Sequence, residues 1–459
     1  MRKLLDSFVG FASRWLARIF FRELEVVGRD RLPASGPLIV VANHVNSLVD
    51  PLLLLAAAGR PLRFLGKSTL WQNPFLVPVL SLAAVIPVYR RQDEGVDPAQ
   101  NRETFARCHE LLAKGGAIAL FPEGISHNEP ALAPLKTGAA RIALEAEERF
   151  GPLGVKIVPV GLVFDAKEEF RSRALVEIGQ PFGVEAELEQ AKSAPQEASR
   201  ALTGRIDQAL HRVTLNYRSW GEAALIGRAA DLFGRRTLAM PGERMFREDL
   251  ELQRTLIDGF AELAGRYPAE TRATAEAVES YDRLLRAARL RDDQVAARYP
   301  VPGVARYLLR RLALFVAGLP LGLAGALLNW LPYRLAGTVS RRLGTLPDLK
   351  ATYKLFPSLL LFPLFWAGEA WLAGHYFGRW AALATLVAAP LLGYGAMRLN
   401  DRRESFWAEV RAYWLLSTRT GVALELARRR ERAFAAVARL AELARTKPAP
   451  PEIDPANPI

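Results

Sequence analysis

Between residues 37 and 182 the chain alternates short apolar runs with longer stretches whose apolar residues recur every three or four positions. The short runs are PLIVVA (37–42), LRFLG (62–66), AAVIPVY (83–89), GAIALF (116–121), VKIVPVGLVF (155–164) and ALVEIG (174–179). They are rich in Val, Ile and Leu and lack clean alternation, which predicts strands buried on both faces. Helical spacing predicts helices over 51–58, 98–114 and 137–150. Strands interleaved with helices predict an α/β layer on a mixed, largely parallel sheet flanked by helices.

The remaining patterns divide the rest of the chain. Residues 1–24 carry Leu4, Phe8, Phe11, Trp15, Ile19 and Phe20 at helical spacing, with Arg14, Arg18 and Arg22 toward the other side. Asp6 and these arginines interrupt the stretch and no small-residue cleavage site follows, so it reads as an amphipathic helix rather than a secretory signal. Two destinations suit it equally, a membrane interface and the protein's own core. Residues 216–305 are helix-like and charged, punctuated by MPGER and RYPAE, and read as an accessory helical region. Apolar residues then concentrate in 312–332, 355–377 and 380–397, the membrane-embedded candidates of a block spanning 306–400. A charged helix over 401–447 and a Pro-rich tail predicted to be disordered complete the chain.

Composition sharpens this in two ways. Hydrophobic residues at 50% beside 24% charged ones are unusual for a purely soluble protein, and a net charge of +13 over 459 residues implies an anionic partner. One cysteine, Cys108, excludes an intrachain disulfide, and the five histidines show no HExxH spacing, so no metal site is expected. No recognisable nucleic-acid module is present, and an anionic membrane accounts for the basicity.

Four strand-end blocks hold the candidate chemistry. NHVNSLVD (43–50) follows a strand and precedes Pro51, with Asp50 expected as N-cap and Pro51 as first helical residue. On a helix, residues six apart are rotated by roughly 240°, so His44 and Asp50 must meet across a loop. A carboxylate that fixes the imidazole tautomer is what a general base requires. AVIPVYRR (84–91) ends in paired arginines, FPEGIS (121–126) places Gly124 after Glu123, and VPVG (158–161) puts Pro159 inside a strand, where an edge or bulge is expected. Each block alone also suits an ordinary loop or solvated strand end. LGKSTL lacks the glycine a phosphate-binding loop needs at 61, where Pro61 stands, and no GxSxG elbow exists. His109, His127, His211 and His375 have no comparable partner nearby in sequence and read as structural.

Together and in this order, the four blocks resemble those of the glycerolipid acyltransferase family, over about residues 25–215. Lys67 and LKTGAA (135–140) fall where that family carries similar runs. The commonest first block has four residues between His and Asp, whereas this chain has five. HVNSLVDP is similar to the variant in the fungal-type glycerol-3-phosphate and dihydroxyacetone-phosphate acyltransferase subgroup, whose catalytic domain also precedes helical and membrane-embedded segments. The resemblance implies the glycerolipid acyltransferase fold and a membrane enzyme that moves a fatty acyl group to glycerol-3-phosphate. His44 would be the base and Asp50 its orienting carboxylate. The acyl thioester, of coenzyme A or a carrier protein, would be attacked directly, with no cofactor. Arg90, Glu123 and Gly124 would bind the acceptor, with Ser126 and Lys136 as weaker candidates. Glu123, which phosphate would repel, is expected to bind a hydroxyl or pair with an arginine. Lysophosphatidate acylation is the competing activity, and a non-catalytic membrane lipid-binding protein is the alternative outside catalysis.

Overall fold

A computed structural model describes residues 1–74, 76–90, 100–234, 246–296, 301–343 and 347–445. Arg91, MPGER and the tail over 447–459 lie outside the described residues. Two compact units emerge, one from residues 1–216 and 329–387, the other from 217–328 and 388–459.

The first unit is built on a sheet of eight strands: β1 (Glu23–Val27), β2 (Leu38–Ala42), β3 (Arg63–Lys67), β4 (Ile86–Val88), β5 (Ala117–Leu120), β6 (Lys156–Phe164), β7 (Arg173–Ile178) and β8 (Phe182–Gly183). Their order is β1-β7-β6-β2-β5-β3-β4, with β8 also on β6. The run from β6 to β4 is parallel, while β7 and β8 join β6 antiparallel, which makes the sheet mixed but largely parallel. Two strands escaped the pattern reading: ELEVV directly follows a helix, and β8 is only two residues long.

Burial on both faces explains the missing alternation. In β2, Leu38, Val40 and Ala42 enter one core while Ile39 and Val41 enter the other, and β5 divides Ala117 and Ala119 from Ile118 and Leu120 in the same way. Helices α1 (Arg2–Phe20) and α2 (Val49–Ala57) cover the first face. A short α3 (Val77–Leu82) precedes β4. Helices α4 (Asn101–Ala113) and α5 (Gly138–Phe150) cover the second face, joined by α6 (Glu185–Ser193) and α7 (Pro195–His211).

Pro159 lies inside the sheet, not at an edge, and the strand run facing it carries one extra residue, as in a bulge. On one side it pairs with Val41 of β2; on the other, β7 ends with Ile178 opposite Val160 and β8 begins with Phe182 opposite Ile157, so that residues 179–181 face Val158 and Pro159. The missing N–H therefore falls where one partner strand gives way to the next. Pro87 lies in β4, the last strand of the order, where a proline is tolerated.

Helix α1 divides its faces. Ser13, Ala17 and Phe20 are buried, whereas Leu4, Phe8, Phe11 and Trp15 remain exposed on the opposite stripe. Arg171 donates to the carbonyls of Arg18, Ile19 and Phe21, satisfying acceptors that the helix end leaves open.

The second unit packs α8 (Trp220–Gly234), α9 (Phe246–Arg266), α10 (Pro268–Ala288), α11 (Asp292–Ala296) and α15 (Thr420–Arg445). Asp292 is buried there and accepts from Tyr281 and Arg430. The long helices α12 (Val301–Leu343), α13 (Pro347–Phe377) and α14 (Arg379–Thr418) contain three stretches long and apolar enough to cross a membrane. Their large side chains are broadly exposed, including Leu321, Leu327, Trp371 and Leu391.

Candidate active site

Strands β2 to β6 run parallel, so their carboxyl ends share one edge of the sheet. In open α/β sheets that edge collects the loops that carry chemistry. His44 follows β2, Arg90 follows β4, and Glu123, Gly124 and Ser126 follow β5. Lys136 joins them because its N–H donates to the Pro122 carbonyl at 2.8 Å.

His44 Nδ1 lies 2.9 Å from Asp50 Oδ2. The N–H groups of Val45 and Asn46 donate to the same oxygen at 2.9 and 2.7 Å. With Nδ1–H given to a buried carboxylate, Nε2 carries the lone pair that a base needs. Phe121 stacks on the imidazole with centroids 4.0 Å apart and planes 11° from parallel, closing one face of the ring. The expected N-cap is displaced: α2 starts at Val49 with Leu48 as its cap, so Asp50 sits inside the first turn. Its carboxylate turns back into the loop because three donors converge on Oδ2 there.

Glu123 departs from expectation. It is only 2% exposed, and its partner is a histidine instead of an arginine or an acceptor hydroxyl. Oε1 accepts the His44 N–H at 2.7 Å, while Oε2 accepts the Ala133 N–H at 2.8 Å and bonds His127 Nε2. Both oxygens are thus engaged in holding the loop that carries His44. His127, which the sequence presented as structural, belongs to this clamp and donates its own N–H to the His44 carbonyl at 3.1 Å. The bond to Glu123 pulls the His127 imidazole pKa upward. Its Nδ1 accepts from the Glu129 N–H, a contact that opposes protonation. The missed signal was a histidine four residues beyond a strand-end glutamate.

Arg90 Nη1 donates to the Gly124 carbonyl at 2.7 Å. Gly124 has φ +73°, and a Cβ there would lie 2.9 Å from the Lys136 side chain. The lysine stem lies across this glycine, so two cations flank one short backbone stretch. Ser126 Oγ accepts the Ser47 N–H at 3.1 Å, a scaffold contact as well. Lys67 ends β3 at the same edge.

More of the cage comes from residues without a motif. Asn43 bonds both the N–H and the carbonyl of Leu162. Lys167 Nζ donates to the Val45 carbonyl at 2.8 Å, and Asn46 returns a bond to the Lys167 carbonyl. Among the described residues, no group of three or more His, Cys, Asp or Glu side chains is placed to hold a metal ion. The arrangement can take a proton from a hydroxyl at Nε2, with two cations nearby for an anionic substrate.

Residues 23–163 match the Acyltransferase family. These residues form an acyltransferase domain. Residues 233–444 match the glycerol-3-phosphate acyltransferase 2 C-terminal domain, which gives the chain the domain pair of the fungal-type glycerol-3-phosphate acyltransferase subgroup. An uncharacterised acyltransferase of Schizosaccharomyces pombe is 24% identical across 89% of this chain and 77% of its own length. Glycerol-3-phosphate O-acyltransferase 2 of Saccharomyces cerevisiae is 31% identical over 42% of this chain, which spans 26% of that protein. A chloroplastic 1-acyl-sn-glycerol-3-phosphate acyltransferase of Brassica napus is 31% identical over 32% of this chain and 39% of its own length.

Proposed function

We propose that this membrane protein acylates the sn-1 hydroxyl of glycerol-3-phosphate, with dihydroxyacetone phosphate as a second acceptor, in phospholipid synthesis. The observation that carries the reading is the His44–Asp50 pair at 2.9 Å in a chain that joins an acyltransferase domain to a glycerol-3-phosphate acyltransferase 2 C-terminal domain. His44 Nε2 takes the acceptor's hydroxyl proton as its oxygen attacks the thioester carbonyl. Asp50 stabilises the imidazolium that forms. The tetrahedral intermediate then expels the thiolate, which leaves as thiol with the proton held by His44. Arg90 and Lys136 supply positive charge for the acceptor phosphate. No cofactor is needed, and the thioester comes from coenzyme A or an acyl carrier protein. The catalytic domain faces the cytoplasm, and the Leu4–Phe8–Phe11–Trp15 stripe of α1 lies in the anionic membrane interface.

The test is acyl transfer by purified protein across a panel of acceptors. Turnover of glycerol-3-phosphate is the expected result. Acylation of lysophosphatidate instead would establish the second reading, which the likeness to the Brassica napus enzyme keeps in view.

A further inference from the structure

Every backbone N–H from His44 to Val49 has a partner, and three of those partners, Glu123, Ser126 and Thr352, come from outside the motif and its helix. His44 donates to Glu123, Val45 and Asn46 donate to Asp50, and Val49 donates to the Asn46 carbonyl. Ser47 and Leu48 differ. Ser47 adopts φ +45°, a left-handed turn that a non-glycine residue seldom takes, and there the loop bulges. Its N–H goes to Ser126 Oγ at 3.1 Å, and the next N–H, of Leu48, goes to Thr352 Oγ1 at 3.2 Å.

Thr352 belongs to α13, some three hundred positions further along the chain. Its neighbours fix it there. Ala351 and Leu355 are buried in the same core as Val49 and Leu53 of α2, and Phe356 packs against that core. Lys350 and Lys354 donate to the side chain and carbonyl of Glu168, in the loop after β6. The start of an apolar helix is therefore seated on the loop that holds the base.

We propose that Thr352 is a positioning residue of the acyl-transfer site: with Ser126 it holds the two N–H groups exported by the five-residue His44–Asp50 loop, and so sets Asp50 against His44. Leu48 caps α2, and Asp50 stands in that helix's first turn. A loop with one more residue than the common spacing has an extra N–H to satisfy, and an unpaired buried N–H is costly. The hydroxyl of α13 meets that need. The five-residue spacing and the helix that begins at Pro347 are then one device.

The proposal rests on the acyl-transfer reading above, and the experiment separates the two. Full-length protein in detergent is assayed with glycerol-3-phosphate and acyl-coenzyme A, comparing wild type with Thr352→Val, Thr352→Ser and His44→Ala. Thr352→Val keeps the packing and removes the acceptor. It should lower kcat about ten- to a hundredfold, the scale of a small misplacement of catalytic groups, while leaving both KM values near wild type. Thr352→Ser should restore most of kcat. Ser358→Ala, which removes a hydroxyl from the same helix bonded only to its own Lys354 carbonyl, should change nothing. Wild-type kcat in Thr352→Val overturns the proposal, and so does a Thr352→Ser as slow as Thr352→Val, because packing would then be the cause. Full activity in His44→Ala would instead overturn the functional reading. Amide exchange over residues 45–50 is the readout independent of turnover: Thr352→Val should accelerate it several-fold and Thr352→Ser should not, and unchanged exchange in Thr352→Val also overturns the proposal.

Discussion

At the scale of single residues, the site is held by hydrogen bonds whose partners are nearly all named by chemistry. His44 is oriented by Asp50 from one side and by Glu123 from the other, and the two carboxylates do different work. Asp50 touches the imidazole, so Asp50→Asn should leave the protein folded and lower kcat by about a hundredfold or more, the usual scale of acid–base assistance. His44→Ala should remove transfer altogether. Circular dichroism alongside the acyl-transfer assay distinguishes these losses from unfolding. Glu123 touches only the loop backbone, His127 and Ala133, so its replacement acts through position and fold. Glu123→Gln keeps one acceptor oxygen but puts an amide against either the His44 N–H or the Ala133 N–H. Its expected signature is a lower melting temperature together with lower kcat. Arg90 and Lys136 concern the acceptor instead. Arg90→Ala should raise the acceptor KM more than the donor KM, and equal shifts in both would remove the arginine from phosphate recognition.

At the scale of elements, close approach and burial decide what can change. Gly161 lies in the buried strand β6, where a Cβ would come within 1.8 Å of the Val213 carbonyl oxygen just beyond α7. Gly161→Ala should therefore destabilise the first unit by about 1–3 kcal/mol through overpacking, seen as a fall in melting temperature. The α4–α5 contact carries a pH dependence. His109 on α4 is buried, with Glu145, Arg141 and Arg149 of α5 around it, and burial pushes its pKa down. The unfolded chain, with a histidine pKa of about 6.5, then binds a proton that the folded chain refuses. Stability should fall as pH drops through that value toward the lower folded one. His109→Gln should flatten this acid-side loss in thermal unfolding followed from about pH 7.5 to 5.5, and an unchanged slope would assign it to other groups.

Much of this scale was legible in sequence. Six of the strands and the parallel core followed from apolar runs because burial on both faces leaves an unbroken apolar signature. The turn-back of Asp50, the Glu123–His127 clamp and the Thr352 contact were not legible. Each depends on which donors converge in space, and Thr352 meets Leu48 across hundreds of residues with no local periodicity to announce it.

At the scale of the whole molecule, the question is how many times the chain crosses the membrane. Residues 312–332, interrupted by Gly318, Pro320 and Gly322, suit by sequence either entering and leaving on one face or lying along it, beside a spanning hairpin of 355–377 and 380–397. The first alternative fails, because α12 is one unbroken helix of 43 residues through all three positions. At 1.5 Å per residue it runs about 64 Å, more than the roughly 30 Å of a hydrocarbon core. An unbroken helix crosses once or not at all. Thr352 and Lys350 bond to the loops after β2 and β6, so this point lies on the catalytic side. A helix α12 lying along the membrane would keep both of its ends on that side. Helices α13 and α14 would then form the crossing hairpin, with the turn at Gly378 and Arg379 on the far side. Arg334, Arg341, Arg342, Lys350 and Lys354 face the cytoplasm in this arrangement, as positive residues prefer. Cysteine labelling tests it in sealed vesicles, and the native thiol does not interfere: Cys108 is buried, and burial pushes its pKa up to about 12. Cysteines introduced at Arg342 and Arg402 should react only from the cytoplasmic side, and one at Arg379 only from the opposite side. Reaction of the Arg342 site from the far side would overturn this arrangement and would place the start of α13 away from the loop that holds His44.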